Sequence, residues 1–435
     1  MNNKTIFGWC MYDWANSAFI TCITVTFLPR YYLTLFADPQ NVELPLFGGV
    51  YHTYGDALWS YTTAVSMLLV ILIAPVLGAI ADMSRGKKSF LVFCVITGAI
   101  ATATLSMVTM GDFFLCSGLF IVANFMWSAA NIFYDGFLPE MTDDPKRMDA
   151  ISAKGYGVGY LGGGIALLLC LFLFAGNEII GLNKGEAIRL TFLVVAIWWA
   201  LFTIPLYRHV NEKGERSVGV KPFKYIRDGF RRLAHTIRKI RKLPNLGRML
   251  AAFLLYNAGI GTIQVVAVVY GVSELNLTDS TLFGVILMIQ ILGFPATFAY
   301  IKFAEKVGTR SSILTGLAIF TFIVVFAMQM ATALEFWIMG VLVALAQGGT
   351  QAMSRSLYGS MIPENMNAEF FGFFSIFNKV GPFFGPSLFG VVKDVTGSSR
   401  LAIFFLITFF ILGFLVLLTV NSLEGREEAK RFKAS

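Results

Sequence analysis

The sequence predicts an all-α, polytopic membrane protein with twelve transmembrane helices arranged as two six-helix pseudo-repeats. Three observations carry that expectation. The chain is 56% hydrophobic and only 14% charged, with 42 Phe, against about a quarter charged in soluble domains. Apolar runs of about 20 residues recur from end to end, each long enough to cross the ~30 Å hydrocarbon layer as a helix. Motifs of the first half also return in the second at a nearly constant offset.

The runs place spans at 6–36, 57–82, 89–110, 113–138, 150–174, 188–208, 247–272, 280–304, 311–331, 334–359, 368–393 and 400–421. The first carries Asp13, Asn16 and Arg30, so it does not read as a short apolar signal segment with a small-residue cleavage site. Arg85, Lys87, Lys88, Lys146, Arg147, Lys306 and Arg310 fall in loops on one side, with the tail residues Arg426, Lys430, Arg431 and Lys433. The opposite loops contain only Lys184. Short loops rich in Lys and Arg stay inside, so both termini are expected in the cytoplasm of a bacterial plasma (inner) membrane.

The expected domains are a six-helix half at 1–207, a connector at 208–248, a second half at 249–421 and a cytoplasmic tail at 422–435. The connector holds thirteen Lys/Arg against three acids, a local excess larger than the +8 of the whole chain. Phe223, Ile226, Phe230, Leu233, Ile237 and Ile240 recur at three- and four-residue spacing, with Arg227, Arg231, Arg232, Arg238 and Lys239 between them. That pattern suits a helix lying on anionic lipid head groups. Nucleic acid is not expected as a partner, because no soluble domain accompanies the basic patch.

The five cysteines show no paired spacing, and the three histidines are scattered. No metal, cofactor or disulfide framework is therefore expected, and membrane oxidases, which need clustered His ligands, are disfavoured. No Gly-x-x-x-x-Gly-Lys-Ser/Thr loop is present to hold ATP.

The halves repeat each other. Gly78 to Lys88, with Asp82, Arg85, Gly86 and Lys87, returns as Ala304 to Arg310, with Glu305 and Gly308. Tyr134 to Glu140 returns as Tyr358 to Glu364, and Gly159-xxx-Gly163 as Gly381-xxx-Gly385. The offsets are 222 to 224. A duplicated six-span unit is the mark of secondary transporters. The first repeat resembles the loop signature of the major facilitator superfamily, Gly-x-x-x-Asp-x-x-Gly-Arg-Lys, with one extra residue between Asp82 and Gly86. The resemblance implies that fold and a conformational gate built from Gly78, Asp82, Arg85, Gly86, Lys87, Glu305, Gly308 and Arg310, with Arg355 nearby. The alternative is a plain turn with basic residues obeying the inside rule.

Within the superfamily, Gly8-Trp9-x-x-Tyr12-Asp13-Trp14-Ala15-Asn16-Ser17-Ala18, Gly157-x-Gly159-Tyr160-Leu-Gly162-Gly163 and Gln347-Gly348-Gly349-x-Gln351-Ala352-x-Ser354-Arg355-Ser356 resemble bacterial relatives of the fungal vacuolar amino-acid effluxer. Gly385-Pro386 belongs to the same set. The resemblance implies amino acids or related metabolites as substrate, and export as direction. One departure is Ala258, where the family usually carries an acid before the glycine in span seven.

Polar residues recur inside four spans. Asp13, Asn16, Ser17, Thr21 and Thr24 share a helical face in span one, and Asn124, Ser128, Asn131 and Asp135 in span four. Span ten has Gln347, Gln351, Ser354 and Tyr358; span seven has Asn257, Gly261 and Gln264. In the superfamily these four spans line the central cavity, so Asp13, Asn16, Asn124, Ser128, Asn131, Asn257, Gln264, Gln347, Gln351 and Lys379 are the expected substrate-cavity residues. The alternative is hydrogen bonding between helices, worth about 0.6 kcal/mol each. Intramembrane charges are costly unless used. Lys379 is expected to meet a carboxylate, or else to snorkel. Asp13 or Asp135 is expected to carry a coupled proton, with an Asp13–Arg355 ion pair as the alternative. Glycines crowd spans five and eleven, where small residues let helices approach closely.

The function expected is a monomeric secondary transporter of a small organic solute, working by alternating access. The rivals are a membrane-embedded lipid-modifying enzyme and a transporter-like sensor.

Overall fold

The structure, a computed structural model, describes residues 3–46, 49–83, 86–141, 145–212, 231, 234–363 and 367–432. Twelve helical spans run through them. The first is Asn3–Ala18, continued by Phe19–Phe27 and Leu28–Leu33. Then come Gly55–Met83, Lys87–Thr104, Phe113–Asp135, Pro145–Ala175 and Lys184–His209. The second set is Pro244–Ser273, Asp279–Val307, Thr309–Gln329, Ala333–Gly359, Asn367–Thr396 and Ser399–Phe405 with Ile407–Leu418. Ten of these are long and apolar enough to cross a membrane. The first is interrupted by its middle segment, and the eleventh is diluted by Asn378, Lys379, Lys393 and its glycines and prolines. Outward faces carry Ile100, Phe172 and Ile197, each more than 60% exposed, as lipid contact requires.

The chain divides into two compact units, Met1–Gly229 and Phe230–Ser435. In the first unit, span one packs on five and six, two on four, and three on four and six. In the second, span seven packs on eleven and twelve, eight on ten, and nine on ten and twelve. The second set of pairings is the first with every number raised by six. The duplication read from motifs is therefore a duplication of helix packing.

Local chemistry sets the helix ends. Asn183 with Glu186 and Thr332 with Glu335 form capping boxes at the starts of spans six and ten. Each satisfies amide hydrogens that the first turn leaves open. Between spans three and four, Asp112 accepts hydrogen bonds from the Thr109 hydroxyl at 2.7 Å and the Thr109 N–H at 3.0 Å, which hold its carboxyl below the usual range. Spans eight and nine are joined by Gly308 alone, at φ +89° and ψ 149°, a region essentially restricted to glycine.

Three features depart from expectation. The loop read at 38–56 contains a hairpin, Val42–Leu46 antiparallel to Gly49–Thr53. The middle of span one, Phe19–Phe27, is π-helical, and Thr26 Oγ1 donates to the Thr21 carbonyl at 2.6 Å. The tail read at 422–435 contains a helix, Ser422–Arg431, docked on the start of span seven. There the Asn245 side-chain amide donates to Glu428 at 2.7 Å, and the Asn421 N–H donates to Asn245 Oδ1 at 2.9 Å.

Candidate functional site

In the first unit the polar residues of spans one and four meet. Tyr134 donates its hydroxyl to Asp13 Oδ2 at 2.7 Å. Its ring stacks on Trp9 at 4.5 Å and lies 4.8 Å from Tyr12. One turn on, Asn131 Nδ2 donates to the Trp127 carbonyl at 3.0 Å, and Asn16 Nδ2 donates to Asn131 Oδ1 at 3.1 Å. A backbone carbonyl only accepts, so Asn131 is oriented by it, and Asn16 Oδ1 is turned away from Asn131. Trp127 Nε1 donates to the Asn16 carbonyl at 3.1 Å. Asn124, 1% exposed, donates to Ser66 Oγ at 2.7 Å; Ser128 is equally buried. Asp135 is exposed at the end of span four.

The polar stripe of span one therefore divides. A Cβ at Gly159 would lie 2.8 Å from Ser17 Oγ and 3.4 Å from Asp13 Cβ, and one at Gly163 would lie 2.8 Å from Thr21 Oγ1. Asp13, Ser17 and Thr21 thus pack toward the glycines of span five, while Asn16 turns to span four.

In the second unit an amide chain joins three spans. Gln351 Nε2 donates to Asn257 Oδ1 at 2.9 Å. Asn257 Nδ2 donates to the Asn378 carbonyl at 3.0 Å and to Asn378 Oδ1 at 3.1 Å. This leaves Gln351 Oε1 and the Asn378 amide hydrogens turned away from Asn257. Lys379, half-buried, follows Asn378 in sequence, and Gln264 and Gln347 are also half-buried; Arg355 is exposed on span ten. Below the chain, the Tyr256 hydroxyl donates to Ser354 Oγ at 2.5 Å.

The repeat reaches these bonds. Trp127 and Gln351 are 224 apart, the offset of their spans; Trp127 donates to the backbone carbonyl of Asn16 and Gln351 to the side-chain oxygen of Asn257. Thr21 packs at Gly163, and Thr262 packs at Gly385. Asn16 to Asn257 and Thr21 to Thr262 are both 241 apart.

Two of the expected gate residues, Lys87 and Arg310, serve helix ends inside their own units. Lys87, 9% exposed, donates to the Gly136 carbonyl at 3.2 Å at the end of span four. Arg310 donates to the carbonyls of Leu417, at 3.1 Å, and Leu418, at the end of span twelve. Cations there complement the helix dipole. Gly86 caps span three without a side-chain hydrogen bond. Instead, the Lys88 N–H donates to Glu212 at 2.5 Å, so Glu212 serves that helix start. Gly78 and Asp82 lie on span two, but the Asp82 side chain and all of Arg85 fall outside the described residues. So do 213–230, 232 and 233, with Phe223, Ile226, Arg227, Phe230, Arg232 and Leu233. Glu305 is exposed.

Sequence reading missed a charge cluster built around one buried lysine. Lys393, 1% exposed, lies 3.8 Å from Glu274, and Arg400 lies 3.5 Å from the same carboxylate. The Ser399 N–H donates to Glu274 at 2.8 Å, and Lys393 donates to Ser399 Oγ at 2.9 Å. It also missed Trp127, Tyr134 and Asn378 as partners, although Tyr134 opens a repeated motif and Asn378 adjoins Lys379. Among the described residues no cluster of three metal-ligating side chains occurs.

The model of the family described as "Vacuole effluxer Atg22 like" matches residues 1–430. YxiO of Bacillus subtilis (strain 168), described as an MFS-type transporter, is 35% identical over 412 residues, covering 94% of this chain and 93% of YxiO. Autophagy-related protein 22 of Eremothecium gossypii is 23% identical over 98% of this chain and 93% of its own. Among solved structures, a point mutant of the nucleoside transporter NupG superposes with a TM-score of 0.69 at 11% identity, over 96% of this chain and 99% of NupG. A bacterial homologue of the lysosomal transporter Spinster, inward-facing and unoccupied, gives 0.65 at 15% identity, over 98% and 99%.

Proposed function

The chain belongs to the Atg22-like vacuole effluxer family and is a multi-pass membrane transporter of the major facilitator superfamily; from that premise we propose that it exports small zwitterions, amino acids foremost, by proton-coupled alternating access. The observation that carries the substrate class is the amide chain Gln351–Asn257–Asn378. Its outward ends are an acceptor, Gln351 Oε1, and a donor, the Asn378 amide. An α-ammonium suits the first, and an α-carboxylate suits the second with Lys379 beside it. Charge-assisted bonds of this kind are worth about 1.5–3 kcal/mol each, enough to prefer zwitterions over neutral solutes.

Asp13 is the proposed proton carrier. Tyr134 donates its hydroxyl to that carboxylate at 2.7 Å, a bond that protonation of the carboxylate weakens. Asp135 is exposed at a helix end, where water makes its charge inexpensive and its coupling weak. The proposed orientation puts both termini and the 208–248 connector in the cytoplasm of a bacterial plasma membrane. The connector rests on anionic lipid, and the loops around Asp82 and Glu305 act as the gate.

Flux in proteoliposomes tests the reading. Loaded amino acids should leave faster when an imposed pH gradient drives protons inward, with neutral isosteres lacking either charge carried poorly. Equal flux of zwitterion and neutral isostere, or no response to the gradient, would overturn it.

A further inference from the structure

Cys22 and Cys170 meet across the interface of spans one and five, and the transport reading uses neither. These two spans run parallel in a steady register. Trp9 packs at Gly155, Asp13 at Gly159 and Ser17 at Gly163; further along, the rings of Phe27 and Phe174 lie 6.2 Å apart. Contacts along this interface differ by 142 to 148 in sequence number; Trp14 at Gly162 differs by 148, as do Cys22 and Cys170, each eight residues further on. Both side chains are fully buried, Cys170 is the neighbouring titratable side chain of Cys22, and the pair lies between the Thr21–Gly163 contact and the Phe27–Phe174 rings. Among the described residues, Cys10, Cys94 and Cys116 are buried elsewhere in the unit.

The glycines explain why the thiols come together. A disulfide needs Cα atoms about 4.4–6.8 Å apart, nearer than most helix axes approach, and small residues at an interface supply that closeness. Spans one and five touch through Gly155, Gly159, Gly162 and Gly163, each tight enough that a Cβ would press on span one. Cys22 also lies within the π-helical segment Phe19–Phe27. Such segments have weaker regular geometry and often mark functional hinges.

We propose that Cys22 and Cys170 form an intramembrane dithiol that a membrane-permeant two-electron oxidant closes to a disulfide, fastening the π-helical segment of span one to span five. With a diazene oxidant such as diamide, one sulfur adds to one nitrogen of the N=N bond as its thiol proton passes to the other nitrogen. The second sulfur then attacks the first, so the S–S bond forms as the S–N bond breaks. Two S–H bonds are lost, both hydrogens finish on nitrogen, and the diazene leaves reduced to a hydrazine. Burial holds both sulfurs as thiols and slows their reaction, so closure requires an oxidant that enters the membrane.

The test uses full-length reduced protein in neutral phospholipid vesicles, treated with diamide, denatured, alkylated and mapped by mass spectrometry. Alkylatable thiols should fall from the five of the sequence to three, with one linked peptide joining Cys22 to Cys170, reversed by dithiothreitol. A variant with Cys10, Cys94 and Cys116 replaced by Ala should give the same linked peptide. Cys170→Ser should leave every remaining thiol alkylatable. Five alkylatable thiols after diamide, or a linked peptide containing Cys10, Cys94 or Cys116, would overturn the proposal. Because the readout needs no solute flux, it stands or falls separately from the transport reading.

Discussion

Asn257 donates its side-chain amide to the backbone carbonyl of Asn378 at 3.0 Å, and this bond decides which way three amides point. The carbonyl has no hydrogen to give, so the Asn257 nitrogen faces it and its oxygen faces Gln351. Gln351 must then present nitrogen. Replacing Gln351 by Glu puts a carboxylate against an amide oxygen, two acceptors with no proton between them. Gln351→Glu should lower stability by about 1–3 kcal/mol at neutral pH. Acidification should restore it, since the protonated acid donates where the amide did. Thermal unfolding followed from pH 8 to pH 5 checks this; a melting difference from wild type that does not shrink with acid would show that the amides are not so oriented.

The bond from Tyr134 to Asp13 makes a second prediction. Asp13→Asn removes the titratable group but keeps its size, so uphill transport driven by a pH gradient should be lost. Solute exchange should persist, because exchange moves no net proton. Tyr134→Phe should retain gradient-driven transport at a reduced rate. Loss of both exchange and uphill flux in a well-folded Asp13→Asn protein would reassign Asp13 to substrate binding or packing.

The docked C-terminal helix predicts a stability effect where a free tail would give none. Glu428 accepts from both the backbone N–H and the side chain of Asn245, which is 1% exposed. Glu428→Ala leaves that buried amide short of a partner and should cost about 1–3 kcal/mol. Replacement of the neighbouring exposed Glu427, which pairs with the exposed Arg431, should stay within about 0.5 kcal/mol. Chemical unfolding of the two variants side by side decides it.

The connector leaves a prediction on its described end. Residues 234–240 are helical, with His235, Ile237 and Arg238 exposed on one turn and Arg241 and Lys242 following. A peptide of 223–243 should gain helicity on anionic vesicles, with each Lys or Arg at the surface contributing about 1 kcal/mol. Binding should weaken as salt rises. Equal affinity for neutral vesicles would remove head-group charge from the explanation.

The spans were legible because a bilayer demands about 20 apolar residues, a demand met locally and visible residue by residue. Span ends such as Gly55, Lys87, Phe113 and Asp279 lie within a few residues of the apolar boundaries. The repeat was legible through short motifs because a duplicated loop keeps its glycine and its charges. Partnerships were not legible. That Asp13 meets Tyr134, or Cys22 meets Cys170, depends on the rotation and register of packed helices, which spacing along one helix does not encode. The π-helical segment shifts the face of span one after Ala18, so a stripe drawn at about 3.6 residues per turn mixes two directions. The hairpin did carry a signal, Gly48-Gly49 between β-branched and aromatic residues, but Pro45 within its first strand argued against it.

The hairpin also accounts for an irregularity in the repeat. The linker from Leu33 to Gly55 is 21 residues long, and its counterpart from Ser273 to Asp279 is five. That excess accounts for most of the jump from offsets of 222–224 to the 241 that separates Asn16 from Asn257. Both asparagines nevertheless take an N–H from equivalent positions, Asn16 on its backbone carbonyl from Trp127 and Asn257 on its side-chain oxygen from Gln351. The sixteen-residue difference between the linkers is therefore taken up in the loop, and the helix contacts on either side of it are undisturbed.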